Sequence, residues 1–128
     1  MEQYLIDTNV ISDFLTNSLN DRGTAFISNI LDTEPIISFV TQIELLSWKA
    51  DEQSENIIAS FVKGCEVKGV SIEKINHCVK IRRVNKLKTP DAIIAATALA
   101  FNYIIVTNNT KDFDNIKGLK IINPYKLV

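Results

Sequence analysis

Four carboxylates in this chain stand where an apolar, strand-like run gives way to a helix or a loop. Asp7 follows Gln3-Tyr4-Leu5-Ile6, and Glu44 lies just past Ile36-Ile37-Ser38-Phe39-Val40. Asp91 opens the apolar segment Ala92 to Phe101, and Asp112 comes after Tyr103-Ile104-Ile105-Val106-Thr107. In an open α/β sheet, groups outside the carboxyl ends of parallel strands converge on one crevice, where ligands bind. Acids gathered there repel one another unless a cation joins them, and hard divalent ions such as Mg²⁺ suit an oxygen-only ligand set. The chemistry such a cluster supports is metal-assisted attack on a phosphodiester.

Taken singly, each acid also has an ordinary explanation. Asp7 fits the cap of a helix, a role open equally to Thr8 or Asn9. Glu44 fits the reciprocal acid of a capping box with Thr41. Asp91 complements a helix dipole, and Asp112 belongs to the polar, turn-like stretch Asn108-Asn109-Thr110-Lys111. Their co-occurrence at strand ends in one small domain favours a shared site. Asp13, one turn beyond Asn9, is open to facing either solvent or the crevice, whereas Asp51, Glu52 and Glu55 resemble a solvated helix start. His77, the only histidine, falls mid-helix beside Cys78. Ser12, Cys65 and Cys78 lack a base partner, so nucleophilic catalysis has no support.

The elements that must position these groups follow from patterning. Gln3 to Ile6, Ile36 to Phe39, Cys65 to Val67, Tyr103 to Val106 and Leu119 to Ile122 are predicted strands. Val10 to Leu15 and Thr24 to Leu31 have helical character, and Thr41 is expected to cap a helix running to Trp48 or Lys49. Ile57, Ile58, Phe61 and Val62 mark another helix, with Gly64 as its stop. Ser71 caps a helix carrying Ile72, Ile75 and Val79 on one face and Arg82 and Arg83 near its end. Thr89-Pro90-Asp91 combines a hydroxyl cap, a first-position proline and a first-turn acid. The Ala-rich segment that follows is apolar nearly all round and is expected to be buried. Strands alternating with helices predict an α/β fold with a parallel sheet covered on both faces. Strand order does not follow from periodicity.

With 128 residues, 46% of them hydrophobic, the chain fits a single domain with its own core. Three prolines and four glycines leave little room for a linker. No signal-peptide pattern opens the sequence, no apolar run spans a bilayer, and two cysteines make neither a disulfide framework nor a zinc motif. A cytoplasmic protein with no membrane partner is the expectation. The net charge of −1 conceals an asymmetry: residues 1–62 hold ten acids and two bases, and residues 63–90 hold eight bases and two acids. The run from Lys80 to Lys88 is either a solvated helix face or a basic rim suited to a polyanion.

These segments carry a family resemblance. Leu5-Ile6-Asp7-Thr8-Asn9, Val40-Thr41-Gln42-Ile43-Glu44-Leu45, Thr89-Pro90-Asp91-Ala92-Ile93-Ile94-Ala95-Ala96-Thr97-Ala98 and Val106-Thr107-Asn108-Asn109-Thr110-Lys111-Asp112-Phe113 occur in order and at suitable spacing. Together they resemble a PIN domain, specifically the VapC-type toxin ribonucleases of toxin–antitoxin pairs. The likeness covers essentially the whole chain, through Gly118 to Pro124.

The resemblance implies a three-layer α/β/α sandwich around a five-stranded parallel sheet. It implies Mg²⁺- or Mn²⁺-dependent endonucleolytic cleavage of RNA, with transfer RNA as a candidate substrate, a cognate antitoxin and a homodimer. Asp7, Glu44 and Asp91 match the family's acids. Many relatives place a fourth acid where this chain has Asn109, and others use the position of Asp112, which is taken here as the fourth ligand. Thr8, Asn9, Thr107 and Asn109 fit supporting roles that hold the carboxylates by hydrogen bonds.

On this reading a metal bound by Asp7 and Asp91 polarises the scissile phosphate, while Glu44 and Asp112 hold a second metal or orient the attacking water. Without a usable histidine, acid–base cleavage through a 2′,3′-cyclic phosphate is disfavoured, so 3′-hydroxyl and 5′-phosphate ends are expected. Arg82, Arg83, Lys86 and Lys88 are the candidate RNA-backbone contacts, by charge. Two rivals differ in class. A phosphatase with an aspartyl nucleophile usually carries a second acid two residues on, where this chain has Asn9; a catalytically degenerate binding module would not turn over.

Overall fold

The computed structural model describes residues 2–127. In chain order the elements are β1 (Tyr4–Ile6), α1 (Thr8–Leu15), α2 (Asp21–Leu31), β2 (Ile36–Ser38), α3 (Phe39–Ser47), α4 (Glu52–Lys63) and β3 (Glu66–Lys68). They continue with α5 (Ile72–Val84), α6 (Thr89–Phe101), β4 (Ile104–Val106), α7 (Thr110–Phe113), β5 (Lys120–Ile122) and a 3₁₀ turn at Pro124–Lys126. The strands form one sheet in the order β3-β2-β1-β4-β5, and every pairing is parallel.

Alternation along these short strands explains the layers. Leu5, Ile36 and Ile105 point into a core shared with Ile81, Ala92, Ala95, Ala96 and Phe113. Their neighbours Ile6, Ile37 and Val106 point the other way, against Val10, Ile11, Ile27, Ile30 and Ile58. Successive strand residues face opposite sides, so both faces need cover, and helices provide it. The result is the three-layer α/β/α sandwich. Ala92, Ala95, Ala96 and Ala98 of α6 are at most 1% exposed, which lets that helix lie close on the sheet.

Topology creates the crevice. From β1 the chain builds outward to β2 and β3, then returns across the sheet to add β4 on the other side of β1, and β5 beyond it. The loops after β1 and β4 therefore leave the sheet in opposite directions, and the gap at their carboxyl ends is the usual ligand position in such folds.

Several local expectations are corrected. The cap of α3 is Ser38, whose hydroxyl accepts from the Val40 amide at 3.1 Å, so Thr41 lies inside the helix and is not its cap. The cap position of α6 is Lys88, with no side-chain bond, so Thr89 is already helical. Gly64 does end α4, but at a right-handed φ of −83°. Left-handed residues instead follow α1 and α6, at Asn17 and Asn102, both with φ 58°. The apolar face of α5 is turned outward: Ile72, Ile75 and Val79 are 79%, 50% and 50% exposed. The inward side carries Ile81 and Lys74, whose ammonium is satisfied by the Gly69 carbonyl at 2.7 Å. Helix α2 begins earlier than its apolar periodicity indicates, because the Asn20 side chain accepts from the Gly23 amide. Gly23 is required for packing: a Cβ there would fall 2.5 Å from the Pro124 carbonyl oxygen.

Candidate active site

The two central strands set the first contacts. The ladder runs one residue past β1 and β4, since the Asp7 amide donates to the Val106 carbonyl and the Thr107 amide to the Ile122 carbonyl, both at 3.0 Å. Asp7 and Thr107 are thereby fixed side by side at the topological switch. Both side chains are buried, and the Thr107 hydroxyl donates to Asp7 Oδ2 at 2.8 Å. The Thr8 amide donates to Asp7 Oδ1 at 2.8 Å, so Asp7 also serves as the cap of α1.

Glu44 arrives from the second turn of α3. Its Oε1 accepts from the Thr8 hydroxyl at 2.7 Å, and the same hydroxyl oxygen lies 3.1 Å from that of Thr41. The capping-box explanation of Glu44 therefore fails: its carboxylate reaches across to α1 and not back to its own helix. Asp91 stands half-buried in the first turn of α6. Asp112 comes from α7, a single helical turn where the sequence showed only a polar loop, and its Oδ2 accepts from the Asn109 side-chain amide at 3.0 Å. Asn109 and Asp112 thus work as a bonded pair. The Asn109 backbone amide in turn donates to Thr107 Oγ1 at 3.0 Å, which ties this pair back to Asp7.

Electrostatics links the four acids more closely than their hydrogen bonds do. Burial pushes the Asp7 carboxyl above its ordinary range, the bonds from Thr107 and Thr8 oppose that, and the Glu44 charge adds to it. Asp91 is also raised, first by burial and then by the charges of Asp7, Asp112 and Glu44, with Lys88 pulling the other way. One carboxyl therefore senses all three others. Such mutual repulsion is what a bound cation relieves.

Among the described residues no three acidic, histidine or cysteine side chains close tightly enough to enclose an ion by themselves. The donor set is nonetheless all oxygen, and among the described residues no carboxylate oxygen of the four accepts more than one hydrogen bond, so each retains acceptor capacity. Mg²⁺ commonly takes one or two carboxylates and completes its shell with water and substrate phosphate. The residues fit such an ion.

The remaining sequence candidates divide by position. Thr8 and Thr107 touch the acids directly. Asn9 is exposed and lines a groove of about 420 Å³ with Thr8, Glu44 and Trp48. Arg82, Arg83, Lys86 and Lys88 are all exposed. Lys88 is near enough to bear on Asp91, and Arg82 Nε donates to the Leu87 carbonyl at 3.3 Å. Arg82 and Arg83 border a groove of about 650 Å³ that runs past Ile75, Val79, Thr89 and Ile93. His77 faces solvent on α5, 4.0 Å from Glu73 and apart from the acids. Asp13 is engaged by the Tyr125 hydroxyl, which donates to its Oδ2. The Tyr125 phenol is pushed up by burial, by Asp13 and by the Asp7 charge. Nothing in the sequence alone paired residues 13 and 125, which lie at opposite ends of the chain. Thr41 was assigned the wrong role, although its spacing of three from Glu44 was a usable signal.

A family profile for the PIN domain matches residues 4–119. The ribonuclease VapC1 of Rickettsia felis is 31% identical over 129 residues, covering 92% of this chain and 93% of that protein. The tRNA(fMet)-specific endonuclease VapC of Shigella flexneri is 29% identical over 129 residues, with 94% and 96% covered. Among solved structures, a chain of a toxin–antitoxin complex from Klebsiella pneumoniae superposes with a TM-score of 0.80 at 28% identity, covering 98% of this chain and all of that one. The chain belongs to the PIN-domain family.

Proposed function

We propose that this protein is a metal-dependent endoribonuclease, the toxin component of a toxin–antitoxin pair, and that it hydrolyses RNA phosphodiesters to 3′-hydroxyl and 5′-phosphate ends. The observation that carries this reading is the coupling of Asp91 to Asp7, Glu44 and Asp112, four acids delivered by four different elements to one switch point. Its relatives named as VapC nucleases agree in class.

Asp7 and Asp91, the two acids raised by burial, would hold Mg²⁺ or Mn²⁺ directly, and Glu44 and Asp112 would hold a second ion or orient the attacking water. A bound ion would supply charge neutralisation at the phosphate and acidify a water for attack. Thr107 and Thr8 hold the Asp7 carboxylate by one donor on each oxygen, which fixes its orientation. Asn109 holds Asp112 by a single bond, to its Oδ2. Lys88, beside Asp91, and the exposed Arg82, Arg83 and Lys86 neutralise RNA phosphates outside the acid cluster.

Transfer RNA is the proposed substrate class, following the name of the Shigella flexneri relative. The proposed protein partners are an antitoxin and a second copy of the chain, and the outward apolar face of α5, with Ile72, Ile75 and Val79 exposed, is the proposed surface for the dimer. No helix among the described residues is long and apolar enough to cross a membrane, and the proposed compartment is the cytoplasm.

The test is brief expression in cells, with sequencing of new RNA ends and co-expression of the neighbouring reading frame. Growth arrest relieved by the neighbour, with new 5′-phosphate ends, is expected. Unimpaired growth at high soluble expression removes the toxin assignment.

A further inference from the structure

We infer that Thr41 is a positioning residue of the acid cluster, acting on Glu44 through the hydroxyl of Thr8. The inference rests on the proposed role of Glu44 and adds to it a buried residue that no carboxylate touches. Thr41 is 0% exposed in the first turn of α3, one turn before Glu44. Its Oγ1 lies 3.1 Å from Thr8 Oγ1, which lies 2.7 Å from Glu44 Oε1.

Proton counting gives this contact a direction. A hydroxyl has one proton to donate, and an ionised carboxylate only accepts. The shorter, charge-assisted contact claims the Thr8 proton for Glu44. With the opposite orientation, lone pairs of Thr8 and Glu44 would face each other at 2.7 Å. The Thr41 oxygen accepts the longer branch of the same hydroxyl's donation, at 3.1 Å, and no buried side-chain oxygen or nitrogen among the described residues is left without a partner. Thr8 is thus the donor to both, with Glu44 on the short branch and Thr41 on the long one.

Thr8 is the hinge of this arrangement because its backbone amide donates to Asp7 while its hydroxyl donates to Glu44. Thr41 pins that hydroxyl from the far side, so it sets how α1 presents Asp7 relative to the Glu44 carried by α3. A valine at 41 keeps the volume, removes the acceptor and puts a methyl group against the Thr8 oxygen, where the 3.1 Å hydroxyl contact is closer than carbon tolerates. The hydroxyl then loses its fixed rotamer, and Glu44 loses its orientation.

The experiment is Mn²⁺ titration of the purified protein, run beside RNA cleavage, for the wild type, Thr41→Val, Thr41→Ser, Glu44→Ala and Thr41→Val/Glu44→Ala. Loss of an outer partner of a metal ligand typically weakens metal affinity or activity about 10- to 100-fold. Thr41→Val is expected at the lower end of that range, about 10-fold, in Mn²⁺ affinity. Thr41→Ser, which keeps the hydroxyl, should bind Mn²⁺ like the wild type even if the lost methyl lowers its melting temperature. Adding Thr41→Val to Glu44→Ala should change affinity no further, since removing the acceptor of the Thr8 hydroxyl already breaks the pathway through residue 44. Wild-type affinity in Thr41→Val overturns the inference while leaving the nuclease reading intact. Equal losses in Thr41→Ser and Thr41→Val, or additive losses in the double variant, also overturn it by making Thr41 a packing residue. A wild type that neither binds Mn²⁺ nor cleaves removes both the inference and the reading beneath it.

Discussion

Thr107→Val is the most informative single change at the switch between β1 and β4. The side chain is 0% exposed, and its hydroxyl makes two bonds, donating to Asp7 Oδ2 at 2.8 Å and accepting the Asn109 amide at 3.0 Å. Valine preserves the volume, so the loss is almost wholly polar. A buried bond to a charged group is worth about 2 kcal/mol and a neutral one about 1 kcal/mol, so the expected total is about 3 kcal/mol. For a domain of this size that lowers the melting temperature by roughly 10 °C. The deficit should depend on pH. Asp7 has its folded pKa raised, so its ionisation lowers stability as pH rises from the unfolded value through the folded one. The Thr107 bond favours the ionised form and restrains that rise. Without it the folded pKa climbs further, so the variant's deficit is full above the titration of Asp7 and shrinks as pH falls through it. Denaturant unfolding of both proteins across acid to neutral pH measures this directly. A deficit below about 1 kcal/mol at neutral pH, where a single neutral bond would suffice, refutes the reasoning, as does a deficit that does not change with pH.

Asp7→Asn should be more stable than the wild type without metal, because a buried, repelled charge is removed, and should lose cleavage. With Mn²⁺ at about 100 times its Kd the wild type should gain about 2.7 kcal/mol while Asp7→Asn gains nothing, as differential scanning would show. Replacing Arg82 and Arg83 together by Gln should make the salt dependence of RNA affinity shallower by about 1 to 1.5 log–log units, at about 0.7 per phosphate neutralised. An unchanged slope in a cleavage-dead background would move the RNA contacts elsewhere. Gly23→Ala should destabilise the fold by about 1–3 kcal/mol, the usual range for overpacking, because its Cβ would meet the Pro124 carbonyl at 2.5 Å; chemical denaturation gives the value.

The layers were legible in the sequence because buried parallel strands appear as short β-branched runs and α6 as an alanine-rich apolar segment. Helix starts were less legible. Thr41 and Thr89 both have the residue types of a cap, but chain direction at the end of β2 and before α6 moves the cap to Ser38 and Lys88. The orientation of the apolar face of α5 was not legible for a different reason: periodicity reveals a stripe but not what covers it, and here the chain itself covers the opposite side. Asp7, Glu44, Asp91 and Asp112 could be picked out because each follows an element boundary. The bonds that hold them, Thr107 to Asp7 across 100 residues and Thr8 to Glu44 across 36, depend on strand order, which no local pattern encodes.

Cleavage of a defined RNA by the purified protein, first in excess chelator and then after adding back Mg²⁺ or Mn²⁺, tests the central claim most directly when the product ends are identified. The account predicts no cleavage in chelator, recovery with metal, 5′-phosphate and 3′-hydroxyl termini, and no recovery in Asp91→Asn. Cleavage that persists in chelator, or that leaves 2′,3′-cyclic phosphate ends, would contradict it.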